Sequence, residues 1–319
     1  MSVTGKTTLG ELHAMICLQE KHHYDFEAST NQIHFNSAKS ATINNVEFGI
    51  QKQAIELVCS KVKIPYSYLV RCDEELQARN LNYWFQGEKK LKIRCDEMNI
   101  RAIVSTRYQP VANSKIIENL KGYFDHEVTY ALSTKMMKLD IKRFYSDFEI
   151  GKDQHSAGIS VINGETSWYS FVIHSYIERL MCTNGLIGEV EQDLKFRHVI
   201  PNLEEKIPEM LAGAYANLGR VKDKYAITVD SVVNNPAGTF KSFNHRYQVS
   251  IEEAKLVEEA FNKEPGNTMY NVIQAYTRAA NATCLLTSDL ESSFKLQKIA
   301  GNILQLVSGK DKPALELVN

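Results

Sequence analysis

The sequence predicts an α+β protein, an antiparallel sheet with helices packed on one face and a mostly helical C-terminal region. Three observations carry that prediction. Side chains alternate with period two over much of residues 90–163. The apolar spacing becomes helical after Pro201. The composition, 44% apolar and 24% charged over 319 residues, is that of an ordinary globular chain with enough length for a large core. The reading divides the chain into a mixed α+β domain over 1–200, a helical region over 201–308 packing on it, and a loose tail over 309–319.

Thr8 can cap a first helix with Leu9, Leu12, Met15 and Ile16 inward. Tyr24–Ser29 and the following NQIHF read as a hairpin around Thr30-Asn31. Helical spacing returns at Gln51–Lys61, stops at Pro65 and resumes over Asp73–Phe85. Two strands follow. Leu91, Ile93 and Cys95 lie on one side of the first, Lys90, Lys92 and Arg94 on the other. In the second, Ile100, Ala102, Val104 and Thr106 oppose Arg101, Ser105 and Arg107, with the apolar Ile103 out of place among them. Ser114–Phe124 reads as a helix, and Glu127–Ser133, Met136–Phe144 and Phe148–Ile150 as strands. GISVIN and TSWYSFVIH read as a hairpin turning at Asn163-Gly164-Glu165. Ser175–Cys182 is expected as a short helix ended by Thr183-Asn184-Gly185. DLKFRHVI is a strand, then Leu203–Tyr225, Ile251–Lys263, Thr268–Ala280 and Leu290–Leu306 are helices.

Several functions lose their signatures. No P-loop, GxGxxG, HExxH or GxSxG is present, and GKTT at Gly5–Thr8 lacks the glycine and strand that should precede it. The six cysteines form no CxxC, which argues against zinc ribbons and thioredoxin-type redox, and they are expected reduced and mostly buried. No nucleotide, metal or other cofactor is expected. Neither a signal peptide nor a run long enough to cross a membrane is read, so a soluble protein of the cytoplasm is expected, without membrane contact. His22-His23 reads as a solvated helix end.

Net charge is −1, but residues 88–143 hold twelve Lys and Arg against seven Asp and Glu. Lys90, Lys92, Arg94, Arg101, Arg107, Lys138, Lys142 and Arg143 would form one basic sheet face able to follow a phosphate backbone. Tyr83, Trp84, Tyr108 and Tyr145 lie near enough in sequence to stack bases. The competing reading is an ordinary wet sheet face.

VSTRYQPVANSKII at Val104–Ile117, GISVINGETSWYSFVIHSYIERLMCTNGLIG at Gly158–Gly188, Arg197-His198, and NTMYNVIQAYTRAANA at Asn267–Ala282 resemble the phage- and plasmid-like proteins of domain-of-unknown-function family 932. The motif residues are Asn163, Glu165, Arg179, Cys182, Thr183, Asn184, Gly185, Arg197 and His198. Gly164 departs from the family's usual Ser. The resemblance implies a gene of phages and plasmids without a settled activity. By analogy of setting, it points to single-strand binding or annealing in recombination or replication, by a homo-oligomer acting on single-stranded nucleic acid. The alternative is a protein-binding module, such as a phage inhibitor of a host defence complex or a virion-associated component. A third reading is an enzyme built on Cys182, His198 and Asn184, which needs those side chains in one pocket.

Overall fold

A computed structural model describes residues 3–87, 89–180, 184–187, 195–196, 198, 202–287 and 289–308, and for 143–145, 184–187, 195–196, 284–287 and 308 it describes the backbone only. Among these residues the strands divide into two sheets. The six-stranded sheet runs β2 (His23–Ser29), β6 (Lys90–Asp96), β7 (Asn99–Ser105), β5 (Val46–Ile50), β4 (Ser40–Ile43), β3 (Ile33–Phe35). Its neighbours are antiparallel except β5 and β7, which pair in parallel. The seven-stranded sheet runs β1 (Val3–Thr8), β8 (Glu127–Leu132), β9 (Met137–Ile150), β10 (Asp153–Asn163), β11 (Phe171–Arg179), β12 (Asn184–Ile187), with β13 (Lys195–Phe196) also on β11. All its pairings are antiparallel.

Local sequence explains the helix starts. α1 (Leu9–Glu20) opens on a capping box of Thr8 and Glu11, and α8 (Ile251–Lys263) on one of Ser250 and Glu253. Asp73 caps α4 (Glu74–Trp84) through the Leu76 N–H. α2 (Lys52–Val62) ends at Lys63, which takes a left-handed φ of 63°, and the short α3 (Tyr66–Leu69) follows Pro65. α5 (Asn113–Lys121), α6 (Ile207–Asp230), α7 (Pro236–Arg246), α9 (Met269–Thr287) and α10 (Leu290–Ser308) complete the set.

The first sheet packs Phe35, Ile43, Ile93 and Ile100 on Ala54, Val58, Leu69 and Leu81 of α2–α4, forming a core of its own. The second sheet packs Leu139, Ile141, Ile159, Val161 and Ile173 on α1, α5 and the first half of α6. Its far end, Phe148, Ile150, Ala157 and Ile177, joins the core of α6–α10 around Tyr225 and Tyr276. On its opposite face Ile162, Val172 and Tyr176 meet Leu290 and Phe294 of α10. Among the described residues no helix is long and apolar enough to cross a membrane.

Five expectations need correction. The hairpin expected around Thr30-Asn31 does not form: β2 pairs with β6 and β3 with β4, at opposite edges of the six-stranded sheet. The helix expected at Ser175–Cys182 is instead the end of β11. That strand is buried on both faces, so it lacks the alternation that marks a half-buried strand. Asn184-Gly185 accordingly pairs in β12 with Glu178 and Arg179 rather than capping a helix. The Asn163-Gly164-Glu165 turn is not a two-residue hairpin, since β11 begins only at Phe171 and residues 164–170 form a longer loop. Finally, β1 and α7 were not expected. β1 is mostly exposed and lies at a sheet edge, so no buried pattern marks it. The described cysteines are free thiols, with Cys59 and Cys95 buried, Cys72 partly so and Cys17 exposed. Cys182 and the tail after 308 lie outside the described residues.

Candidate functional site

The predicted basic residues do not share one surface. Lys90, Lys92, Arg94, Arg101 and Arg107 belong to the β6–β7 region of the six-stranded sheet, while Lys138, Lys142 and Arg143 lie on β9 of the other. Beyond Lys90 the expected basic face of β6 is also not open to water, because it packs against Tyr108 and the 164–170 loop. Lys92 donates to the Tyr108 carbonyl at 2.7 Å. Arg94, only 7% exposed, grips Asp25 at 3.0 and 3.2 Å and donates to the Glu165 carbonyl. A β-bulge places Arg101 between the Arg94–Ala102 and Cys95–Ile100 pairs. The bulge explains Ile103: past it the alternation resets, so Ile100 and Ile103 both reach the first core and Ala102 and Val104 turn to Tyr108.

Arg101 is thereby aimed at Glu165, 2.6 Å from its Oε2, and at His23 Nδ1, 2.8 Å away. Glu165 Oε1 accepts the Asn113 N–H at 2.8 Å. Asn163, one strand end away, donates to the Val111 carbonyl and to Asn113 Oδ1. Tyr108 completes the seam: its hydroxyl donates to the Gly164 carbonyl and accepts from the Ser167 N–H. Its ring lies 5.3 Å from that of His198, whose carbonyl accepts the Gln109 N–H. Thus two residue groups with separate rationales in the sequence, Arg94 and Arg101 as phosphate contacts and Asn163, Glu165 and His198 as motif residues, meet where the sheets join.

A cavity of ≈ 300 Å³ opens beside this seam, lined by Glu20, His23, Asp96, Arg101, Asn113 and Glu165 among others. Burial pushes the Glu165 carboxyl up, but the Arg101 and Arg94 guanidiniums outweigh it and hold it below its ordinary range. Burial and the Glu165 charge push Glu20 up, despite its bonds from the Ser114 N–H and hydroxyl. Burial and Arg101 push His23 down. Burial also takes His198 down to about 4. These groups spend their bonding capacity mainly on one another, so the seam clamps two sheets and offers little positive charge outward. Glu20 and His23 carry no local sequence signal, whereas Asn113 lies in the Val104–Ile117 segment of the family resemblance. His23 starts β2 rather than fraying with the exposed His22.

The remaining sites lie elsewhere. Arg179 bonds Asp153 at 2.7 Å and Glu264 at 2.6 and 2.7 Å, tying β11 to the end of α8. Lys138 pairs with Asp140, and Lys142 with Glu178 at 2.6 Å. Cys182, Thr183 and Arg197 lie outside the described residues, as do the side chains of Arg143 and Asn184.

Lys90 and Arg107 remain at the surface. Because Leu91 pairs with Ser105, the start of β6 and the end of β7 lie at one end of the sheet, which brings Lys89, Lys90 and Arg107 to that end, all exposed. Among the described residues the Lys90 ammonium has a long 3.9 Å contact with Glu27. The helix feeding this end, α4, finishes on Tyr83 and Trp84. These rings are 63% and 59% exposed, with centroids 5.0 Å apart in an edge-on arrangement. Comparison with protein-family models, with curated proteins and with solved structures finds no match, so the resemblance to family 932 rests on the motifs that carry it.

Proposed function

We propose that this protein binds single-stranded nucleic acid at the exposed end of its six-stranded sheet, not across the sheet face. The observations that carry the reading are the water-exposed Tyr83–Trp84 pair at the end of α4, the helix that leads into β6, and the exposed Lys89, Lys90 and Arg107 at one end of the β6–β7 pair. Burying neither ring is costly for a folded chain, and aromatic rings next to cations supply the two parts of non-specific single-strand binding, base stacking and phosphate attraction. A phage or plasmid setting, implied by the family resemblance, fits that role. Assembly of several copies along one strand belongs to the same proposal.

Tryptophan emission tests it. The chain has two tryptophans, and Trp168 is held by its N–H on the Gln53 carbonyl with Lys135 over its ring at 4.2 Å. Titration with oligo-dT should quench Trp84, and Trp84→Ala should weaken binding roughly five- to 150-fold, from ~1–3 kcal/mol per stacked base. Unchanged emission and no salt-sensitive binding would refute the reading. A second reading has its own support: Tyr68, Val70 and Leu76 are also exposed on α3–α4, which suits a protein partner. In that case a partner would bind with little salt dependence.

A further inference from the structure

The second cavity, ≈ 320 Å³, lies on the other side of the molecule's chemistry. Its floor is the face of the seven-stranded sheet turned away from α1, α5 and α6. Lys138, Asp140 and Lys142 alternate along β9 on that face, and Tyr176 and Glu178 stand on β11. The walls are apolar, with Tyr130, Met136, Leu290 and Phe294 among the lining residues. Gln297 of α10 also lines it.

This face carries more hydrogen-bonding capacity than its own side chains use. Asp140 is 8% exposed and Gln297 5%, yet Asp140 Oδ1 and Gln297 Oε1 have no hydrogen-bond partner among the described residues. A buried acceptor left empty costs about 1–3 kcal/mol. Ser160, fully buried and paired in register with Asp140, and Ser156, in register with Glu178, have unpartnered hydroxyls as well. Donors are also left over. Each lysine ammonium carries three N–H groups, and the structure gives Lys138 a bond to Asp140 and Lys142 one to Glu178. Residues of both signs therefore alternate along β9, their Cα atoms about 7 Å apart at two residues of strand rise, with the Lys138 and Asp140 charges in contact beside an apolar wall.

We propose that this cavity binds a free α-amino acid with an apolar side chain. The ammonium would be received by Asp140 and Gln297 and the carboxylate by Lys138 and Lys142. The side chain would lie against Met136, Leu290 and Phe294. Three lysines, Lys6, Lys138 and Lys142, and two carboxylates, Asp140 and Glu178, line the cavity, so a ligand carrying both charges finds a partner for each. The volume sits at the small end of ligand pockets, about 300–1,000 Å³.

Calorimetry on the full chain with L-leucine and L-phenylalanine tests this, with phenethylamine and 3-phenylpropionate as probes that each lack one charged group. The expected result is saturable binding of at least one amino acid, and a loss of about tenfold or more on removing either charged group, since hydrogen bonds to ions are the strong ones. Asp140→Asn should show a similar loss. Because Asp140 is paired with Lys138 and its variant can fail to fold, Gln297→Leu and the cavity-filling Ser293→Trp are measured too, with circular dichroism to confirm folding. Both should weaken binding severalfold or more. Failure of both amino acids to bind at millimolar concentration overturns the proposal. So does equal binding of a single-charge probe, or parental affinity in folded Gln297→Leu and Ser293→Trp.

Discussion

Glu165→Gln removes one negative charge at the joint between the sheets and little else. The amide keeps an oxygen for the Asn113 N–H, and the Arg94 bond goes to the backbone carbonyl, which the substitution does not touch. What is lost is the ion pair with Arg101 at 2.6 Å, with side-chain exposures of 12% and 5%. At an effective dielectric of 20 the gross attraction is about 6 kcal/mol. Desolvation offsets much of that in the intact pair, but the variant leaves a guanidinium buried without its counter-charge, a situation that costs about 3–5 kcal/mol. The assay is urea denaturation at pH 7.5, with Arg101→Met and the double variant completing a cycle. Replacing both residues should cost less than Glu165→Gln alone, because no charge is stranded. The folded carboxyl titrates below its ordinary range, so its stabilisation is complete above the unfolded value and fades as pH falls through the folded one. The gap between parent and variant should therefore close in acid. A loss under about 1 kcal/mol in Glu165→Gln, well below the range for a broken buried pair, would refute the clamp. A double variant losing the sum of the two single losses would refute it equally.

Other outcomes follow from the same geometry. His198, held near 4 in the folded chain against an ordinary value of about 6.5, should cost about 3 kcal/mol of stability as pH falls from 6.5 to 4, because the unfolded chain takes the proton first. His23 and His155, both pushed down by burial, act in the same direction, and His198→Phe should flatten part of the fall in an acid titration of stability. Gly158→Ala would set a Cβ 2.1 Å from the Ile141 carbonyl oxygen, a backbone atom at a register shift, and should destabilise by about 1–3 kcal/mol or more in the same urea assay. Normal stability would show that the β9–β10 strands can part there.

Much of the fold could be read in the residues because local rules agreed with the final structure. The Thr8–Glu11 and Ser250–Glu253 boxes start helices where expected, and the period-two run of Lys90–Ser105 forms two strands. What escaped was long-range. Arg94 and Arg101 reach Glu165 across 71 and 64 residues, and a charge count cannot say that they are spent there. Alternation alone could not show that two basic strand groups enter different sheets. One trace of the bulge was visible, Ile103 among polar neighbours, but a lone apolar residue on a wet face is common. β11 was hidden by burial on both faces and β1 by burial on neither. Of the site proposed here, Lys90 and Arg107 came from the charge pattern and Trp84 from its aromatic neighbourhood, whereas the end of the sheet that Lys90 and Arg107 share follows from the Leu91–Ser105 register.

The most direct test of single-strand binding at this end is the salt dependence of oligo-dT affinity in Lys89→Ala/Lys90→Ala/Arg107→Ala beside the parent. Each lost phosphate contact should reduce the log–log slope by about 0.7, so the triple variant should bind more weakly with a slope smaller by about 2. Lys92→Met, which removes an ammonium already bonded to the Tyr108 carbonyl, should leave the slope unchanged. A triple variant with the parent's affinity and slope, or a slope that falls with Lys92→Met instead, would contradict the account.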